Sequence, residues 1–340
     1  MYSNFLFFFI IISLLLVYFC RKNNLIVDYK LEKHKRFSSK LKSNCIGGIF
    51  LIIFLLYEYV IENQNNYLFL FLFLIFLIGL LSDIKKLNDV SLRFFLQIIL
   101  IIFFISIIGI EIKNTRIEYL DIVIANKFAN IIFVSFCLMV LINGGNFIDG
   151  LNGLLLKYYL LVYLIILFNF GDNPYVNNNF LINLIIILSI TLLFNLLGFI
   201  YMGDSGAYLL STLSGIYLIN FSYNNDYISP FFIILLLWYP CFELLFSMIR
   251  RYKYKTKTYK PDSSHLHQFI YNFIKKEFNF NNNVIHFSVS TIINSYNLLV
   301  FIIAINFIYS SKMLILIIVL NIFVYISAYI FFKKEYQRNN

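Results

Sequence analysis

Eleven apolar stretches, each close to the length of a helix that crosses a bilayer, follow one another along this chain. They run over 4–20, 45–61, 67–82, 92–110, 128–142, 151–170, 180–198, 207–221, 230–249, 289–309 and 313–332. A hydrocarbon core roughly 30 Å thick needs about 20 helical residues per crossing. Composition points the same way: 61% of the 340 residues are hydrophobic, 20% aromatic and 13% charged, against roughly 45–50% apolar in soluble domains. The expectation is an all-α polytopic membrane protein, a single integral-membrane domain over 1–340 with about eleven transmembrane helices.

The formal net charge of +10 would suit a nucleic-acid partner, but its distribution follows the spans instead. An odd number of crossings puts the termini on opposite sides. With the N-terminus periplasmic and the C-terminus cytoplasmic, 22 of the 27 Lys and Arg fall inside: 8 in 21–44, 3 in 83–93, 8 in 250–277 and 3 in 333–340. Lys113, Arg116, Lys127 and Lys312 fall outside, and Lys157 lies within a span. This is the positive-inside pattern, so the basic residues serve topology and anionic lipid or phosphate rather than nucleic acid. The expected setting is a bacterial inner membrane, crossed many times. Cys20, Cys45, Cys137 and Cys241 lie in or beside apolar runs without metal or redox spacing and read as small buried apolar residues. The first run has no basic stretch before it and no small-residue cleavage site after it, so it reads as the first crossing rather than a signal peptide.

Five polar stretches interrupt this pattern, at the expected cytoplasmic segments 21–44, 83–91, 143–150, 198–206 and 250–288. The basic segment ends in Cys45-Ile46-Gly47-Gly48. Leu81-Ser82-Asp83-Ile84-Lys85-Lys86-Leu87-Asn88 places a carboxylate at a helix end beside cations, with Asp89, Arg93 and Gln97 following. Asp83 there suits a metal-bound or phosphorylated ligand, or else solvates the helix end with Lys85 and Lys86 snorkelling beside it. Asn143–Gly153 reads NGGNFIDGLNG, which neither lipid nor a packed core tolerates without partners; it is a ligand site by default, or an ordinary Gly- and Asn-rich turn. At helical spacing Asn146, Asp149, Gly150 and Gly153 share one face. Gly203-Asp204-Ser205-Gly206 opens the next run, where unpaired amides attract anions and where Asp204 is alternatively a plain N-cap. The last segment carries Arg250, Arg251, Lys253, Lys255, Lys257 and Lys260, then Pro261-Asp262-Ser263-Ser264-His265-Leu266-His267-Gln268. With His34 and His286 remote in sequence, His265 and His267 make a poor zinc site and a better phosphate cradle together with arginine.

In their order, side and spacing these stretches resemble the polyprenyl-phosphate N-acetylhexosamine-1-phosphate transferase family, over roughly 20–275. The PDSSHLHQ ending looks more like its GlcNAc-type branch than its peptidoglycan branch. The resemblance implies attack by undecaprenyl phosphate on a UDP-amino sugar, with release of UMP and Mg2+, or Mn2+, as cofactor. It implies Asn146 and Asp204 as metal ligands, Asn152 as the uracil contact and Asp83 facing the lipid phosphate. Arg250, His265 and His267 would hold the diphosphate or sugar, Asp149 would brace the loop, and Arg93 and Gly203 would join the substrate site. Four positions depart from the usual pattern: Ser82 replaces the first of two adjacent acids, Asn152 stands where many members have aspartate, Ser39 replaces a histidine, and Gln268 replaces a third histidine. A carrier of lipid-linked or nucleotide sugars and an inactive relative are the competing readings; a homodimer is one arrangement the sequence leaves open.

Overall fold

A computed structural model describes residues 2–26, 43–62, 66–253 and 264–338. Residues 27–42, including His34 and Ser39, and Lys255, Lys257, Lys260, Pro261, Asp262 and Ser263 lie outside the described residues. The helices are α1 (Tyr2–Lys22), α2 (Gly47–Glu62), α3 (Asn66–Asp83), α4 (Val90–Ile108), α5 (Glu118–Ile124), α6 (Lys127–Ile148), α7 (Leu154–Phe170) and α8 (Asn178–Leu196). They continue as α9 (Gly203–Tyr223), α10 (Pro230–Leu236), α11 (Trp238–Lys253), α12 (Leu266–Glu277), α13 (Asn282–Ile305) and α14 (Ser311–Arg338). Two short parallel strands, β1 (Asn44–Cys45) and β2 (Ile200–Tyr201), pair Asn44 with Ile200 and Cys45 with Tyr201.

All eleven apolar stretches fall largely on helix. Among the described residues, α3, α4, α6, α8, α13 and α14 are long and apolar enough to cross a membrane by themselves, while α2 and α7 are apolar but shorter. The expected crossing at 230–249 is broken, because α10 and α11 meet at 75°. Pro240, in the first turn of α11, has no N–H for the Leu236 carbonyl, and its ring would crowd that carbonyl in a continuous helix. The Tyr158 hydroxyl donates to it instead, at 2.8 Å, so the bend leaves no orphaned acceptor there.

α9 is the axis of the bundle, buried along most of its length and flanked by α2, α3 and α6. Its small residues let neighbours approach closely, the usual way apolar helices associate in lipid. A Cβ on Gly79 of α3 would lie 2.4 Å from Ser205 Cα, and one on Gly145 of α6 would lie 2.0 Å from Ser211 Oγ. Gly215, one turn further along α9, meets Leu138 and Leu141; α6 and α9 are therefore antiparallel. The end of α6, the start of α9, the end of α3 and the β1–β2 pair thus gather at one end of the bundle. At the opposite end Arg116 ties two loops together, donating to the carbonyls of Tyr227 and Tyr309, each at 2.9 Å.

The Gly79 contact is backbone against backbone, so a methyl group there cannot be absorbed by a rotamer change. Gly79→Ala is expected to destabilise the protein by about 1–3 kcal/mol, as overpacking does. A thermal-unfolding midpoint in detergent indistinguishable from wild type would reject this account of the α3–α9 contact.

Candidate active site

The first amides of a helix need acceptors, and α9 finds them in another helix. Its own N-cap position, Met202, supplies no side-chain acceptor, and Gly203 turns with φ of +70° against the Asp83 carboxylate. Asp83 Oδ1 accepts the Asp204 N–H at 2.8 Å; Oδ2 accepts the Ser205 N–H at 3.0 Å and the Ser205 hydroxyl at 2.6 Å. Asp204 is therefore not the cap of its helix, and Asp83 is not merely a solvated end. Both oxygens of Asp83 are taken by α9.

Freed from capping, the Asp204 carboxylate turns to α3 and α4. Its Oδ2 accepts the Ser82 hydroxyl at 2.6 Å and forms an ion pair with Arg93, whose guanidinium also donates to Ser82 Oγ. Tyr208 adds a long contact at 3.5 Å. Among the described residues buried Arg93 Nε has no hydrogen-bond partner, and Gln97 lies beside the Tyr208 hydroxyl. Lys85 and Lys86 stay exposed.

Asn143–Ile148, expected as part of a loop over 143–150, is instead the last turns of α6, and only Asp149–Gly153 is non-helical. The helix stops at its C-cap Asp149, so Gly150 and Gly153 do not continue the face that carries Asn146. Asn146 is half-buried, and its side chain makes no hydrogen bond to a described residue. Asn152 is buried: its N–H donates to His286 Nδ1 at 3.2 Å, while its side-chain Nδ2 has no partner among the described residues. The Gly153 N–H donates to Asn195 Oδ1 at 2.6 Å.

His265 caps α12, with its N–H on Gln268 Oε1 at 3.1 Å, and its Nδ1 lies 2.9 Å from Glu243 Oε1. Its ring packs edge-on against Phe147, 5.1 Å between centroids. The other Glu243 oxygen accepts the Tyr325 hydroxyl at 2.7 Å. His267 stacks on His265 and is wholly buried, with neither ring nitrogen partnered among the described residues. Its Nε2 would be 2.8 Å from a Cβ on Gly150, so α12 delivers His267 to the non-helical turn after α6. Burial pushes its pKa down to about 3; His265 and His286 act in the same sense and Glu243 opposes them. His267 is thus a neutral imidazole. Arg250 is buried and bonds Ser247 Oγ and the Tyr329 hydroxyl, at 2.8 and 2.9 Å, and the Ser264 carbonyl. These bonds fasten the start of the α12 segment to α14.

Sequence reading missed Glu243, Asn195 and Tyr325, and it set His286 aside as remote, whereas the structure brings it to Asn152 and near His267. Glu243 left a signal, being the one charged residue of the 230–249 run and so a candidate by its cost in lipid. Asn195 and Tyr325 left none, because each works through a partner more than 40 residues away.

The oxygen donors suit a hard divalent ion. Asp204 Oδ1 has no hydrogen bond among the described residues, and the Asn146 amide is equally uncommitted. Among the described residues no group of three or more His, Cys, Asp or Glu could hold a metal, as zinc would want. Mg2+ keeps several waters and substrate phosphates around one or two protein groups.

The sequence profile of glycosyl transferase family 4 matches residues 65–222. That stretch includes Ser82, Asp83, Arg93, Asn146, Asn152 and Asp204. An undecaprenyl-phosphate alpha-N-acetylglucosaminyl 1-phosphate transferase of Thermotoga maritima is 27% identical over 234 residues, 65% of this chain and 66% of the relative. The chain thus matches just under two thirds of that protein's length.

His267 also makes stability depend on pH. Its folded pKa of about 3 lies below the unfolded value near 6.5. Below pH 6.5 the unfolded chain binds a proton that the folded protein does not, and stability falls with pH until the folded pKa is reached. The expected loss is on the order of 2 kcal/mol between pH 6.5 and 5. Comparing denaturation of wild type and His267→Gln over this range checks it; equal slopes would remove the assignment.

Proposed function

We propose that this chain, whose residues 65–222 match glycosyl transferase family 4, transfers a sugar-1-phosphate from a UDP-amino sugar to undecaprenyl phosphate. The product is a polyprenyl diphospho-sugar, UMP leaves, and the step begins a cell-surface glycan. In this reading the eleven expected spans, of which six helices and one bent pair are long and apolar enough among the described residues, would place the N-terminus in the periplasm and the polar end of the bundle at the cytoplasmic face of the inner membrane. The observation that carries it is the gathering, at that end, of the Asp83 and Asp204 carboxylates with the Arg93 cation and of Asn146, Asn152 and His267 side chains that are uncommitted among the described residues.

The nucleophile is an oxygen of the lipid phosphate, which attacks the sugar-bearing phosphorus of the donor. A phosphate monoester with a second pKa near 6 is mostly dianionic at pH 7, so it needs positioning more than deprotonation. Asp83 orients the start of α9 and with it Asp204. Arg93 supplies fixed positive charge beside Asp204. Asn152 offers its free amide to the uracil ring, and His267 offers one neutral N–H to a phosphate or sugar oxygen. Arg250 acts by holding the α12 segment, and Asp149 by ending α6. Asn146 and Asp204 would hold Mg2+, which supplies charge neutralisation at the diphosphate when bound.

The direct test is purified protein with UDP-GlcNAc and related donors, Mg2+ and undecaprenyl phosphate, with UMP as the readout. Asp204→Ala is expected to remove most turnover without changing expression, and excess EDTA to do the same; full turnover in EDTA would end the metal assignment. A polytopic carrier or inactive relative would release no UMP with any donor.

Ser82 hydrogen-bonds Asp204 and Arg93, but their ion pair does not depend on it. Ser82→Ala is therefore expected to keep activity within about tenfold, on the order of 1.4 kcal/mol, while Asp83→Asn, which weakens the α9 cap, loses more. A rise of a hundredfold or more in Ser82→Asp would mean that the missing acid limits the rate, since a general base typically contributes 10²–10⁴-fold.

A further inference from the structure

Away from the carboxylates, α1 and the end of α8 enclose an open groove of about 500 Å3, walled by Leu14, Val17, Phe194 and Phe199. Two cations close it at one end, Arg21 and Lys22 in the last turn of α1. The Arg21 guanidinium lies over the Phe199 ring, 4.9 Å from its centroid, and Lys22 stands 5.9 Å from the Tyr18 ring. Neither forms an ion pair with a described carboxylate, and no acid is among the described residues that line the groove. We propose that this groove holds one anionic phospholipid of the bilayer, its acyl chain along the apolar walls and its headgroup phosphate on Arg21 and Lys22.

Three features support an ordered site rather than a patch that only steers topology. The end of α1 is fixed: Asn44 Nδ2 donates to the carbonyls of Cys20 and Leu25, at 3.2 and 2.5 Å, and the Leu25 N–H donates to Cys20 O at 2.9 Å. The opposite wall is fixed as well, since the Ser43 hydroxyl donates to the Gly198 carbonyl at 2.7 Å and β2 pairs with β1 directly after Phe199. The outer flank of α1, with Ile11, Leu15 and Phe19, is exposed and apolar, so a lipid chain beside it extends the bilayer rather than displacing water. A cation held at the end of such a surface and over an aromatic ring suits a phosphate monoanion.

The occupant is a bilayer lipid rather than the reacting one. Asp204 faces α3 and α4, whereas the groove lies between α1 and α8, and α2 packs on both α8 and α9 between them. Phe199 is nonetheless only five residues before Asp204, at most about 17 Å of extended chain. A lipid seated there braces the strand that leads into the carboxylate site.

Native mass spectrometry of the full chain from nanodiscs, with phosphatidylcholine alone or mixed with phosphatidylglycerol, tests this. Wild type is expected to retain one phosphatidylglycerol and no phosphatidylcholine. The double variant Arg21→Gln, Lys22→Gln should bind it about 30-fold more weakly, roughly fivefold per cation, and Leu14→Trp, which keeps both cations and fills the groove, should lose it too. Equal retention by all three proteins overturns the proposal, as does loss in the charge variant alone, which would leave a headgroup contact without a groove. Competition by inorganic phosphate as strong as by the lipid, or preferential retention of undecaprenyl phosphate by the same residues, would assign the site to a free anion or to the substrate instead.

Discussion

The carboxylate of Asp83 on the first amides of α9 is the interaction from which the rest of the polar end follows. It lets a helix begin in an apolar bundle without orphaned donors, and it does so from the end of α3, so that two helices and two acids are set by one contact. With the cap supplied from outside, Asp204 does not fold back on its own helix and faces Ser82 and Arg93. The Gly79–Ser205 approach makes the cap geometrically available; a side chain there would hold α3 too far away.

Most buried polar atoms in this bundle are accounted for. Tyr158 takes the carbonyl freed by Pro240, Tyr159 donates to Ser211, Asn294 to the Leu154 carbonyl and Trp238 to Asn297. Against that background the unpaired donors and acceptors at His267, Asn152 and Arg93 stand out, because an unmade hydrogen bond in a low-dielectric interior costs about 1–3 kcal/mol. Unpaired buried atoms also occur elsewhere among the described residues, at Ser135, Tyr217 and Asn321 for example, but His267, Asn152 and Arg93 lie at the end that carries the two carboxylates, where a polar ligand would meet them. The buried neutral imidazole of His267 fits this use: it can offer a hydrogen bond without carrying a charge into the bundle.

Ser82 changes the local electrostatics. A second carboxylate in its place would share the Arg93 guanidinium with Asp204, and two like charges on one cation repel. With serine, one guanidinium and one carboxylate balance, and the hydroxyl both donates to Asp204 and accepts from Arg93.

By itself the sequence determined the class of the molecule and the location of its polar stretches. Membrane-length apolar runs admit few folds, and glycines, asparagines and acids are too costly in lipid to be scattered without purpose. That made Asp83, Asn146, Asn152 and Asp204 candidates, and the basic segment just ahead of His265 and His267 added those two. The tertiary structure decided what each of them touches. That Asp83 caps α9 rather than its own helix end, that Arg250 is spent on Ser264 and Tyr329, that α6 runs on to Ile148, and that Glu243 holds His265 all depend on which helix ends meet. Spacing along a chain carries helical periodicity over a few turns. Most of the contacts that assign roles here join residues 22 to 134 positions apart, and only the packing of α3, α6, α11 and α13 around the central helices brings them together.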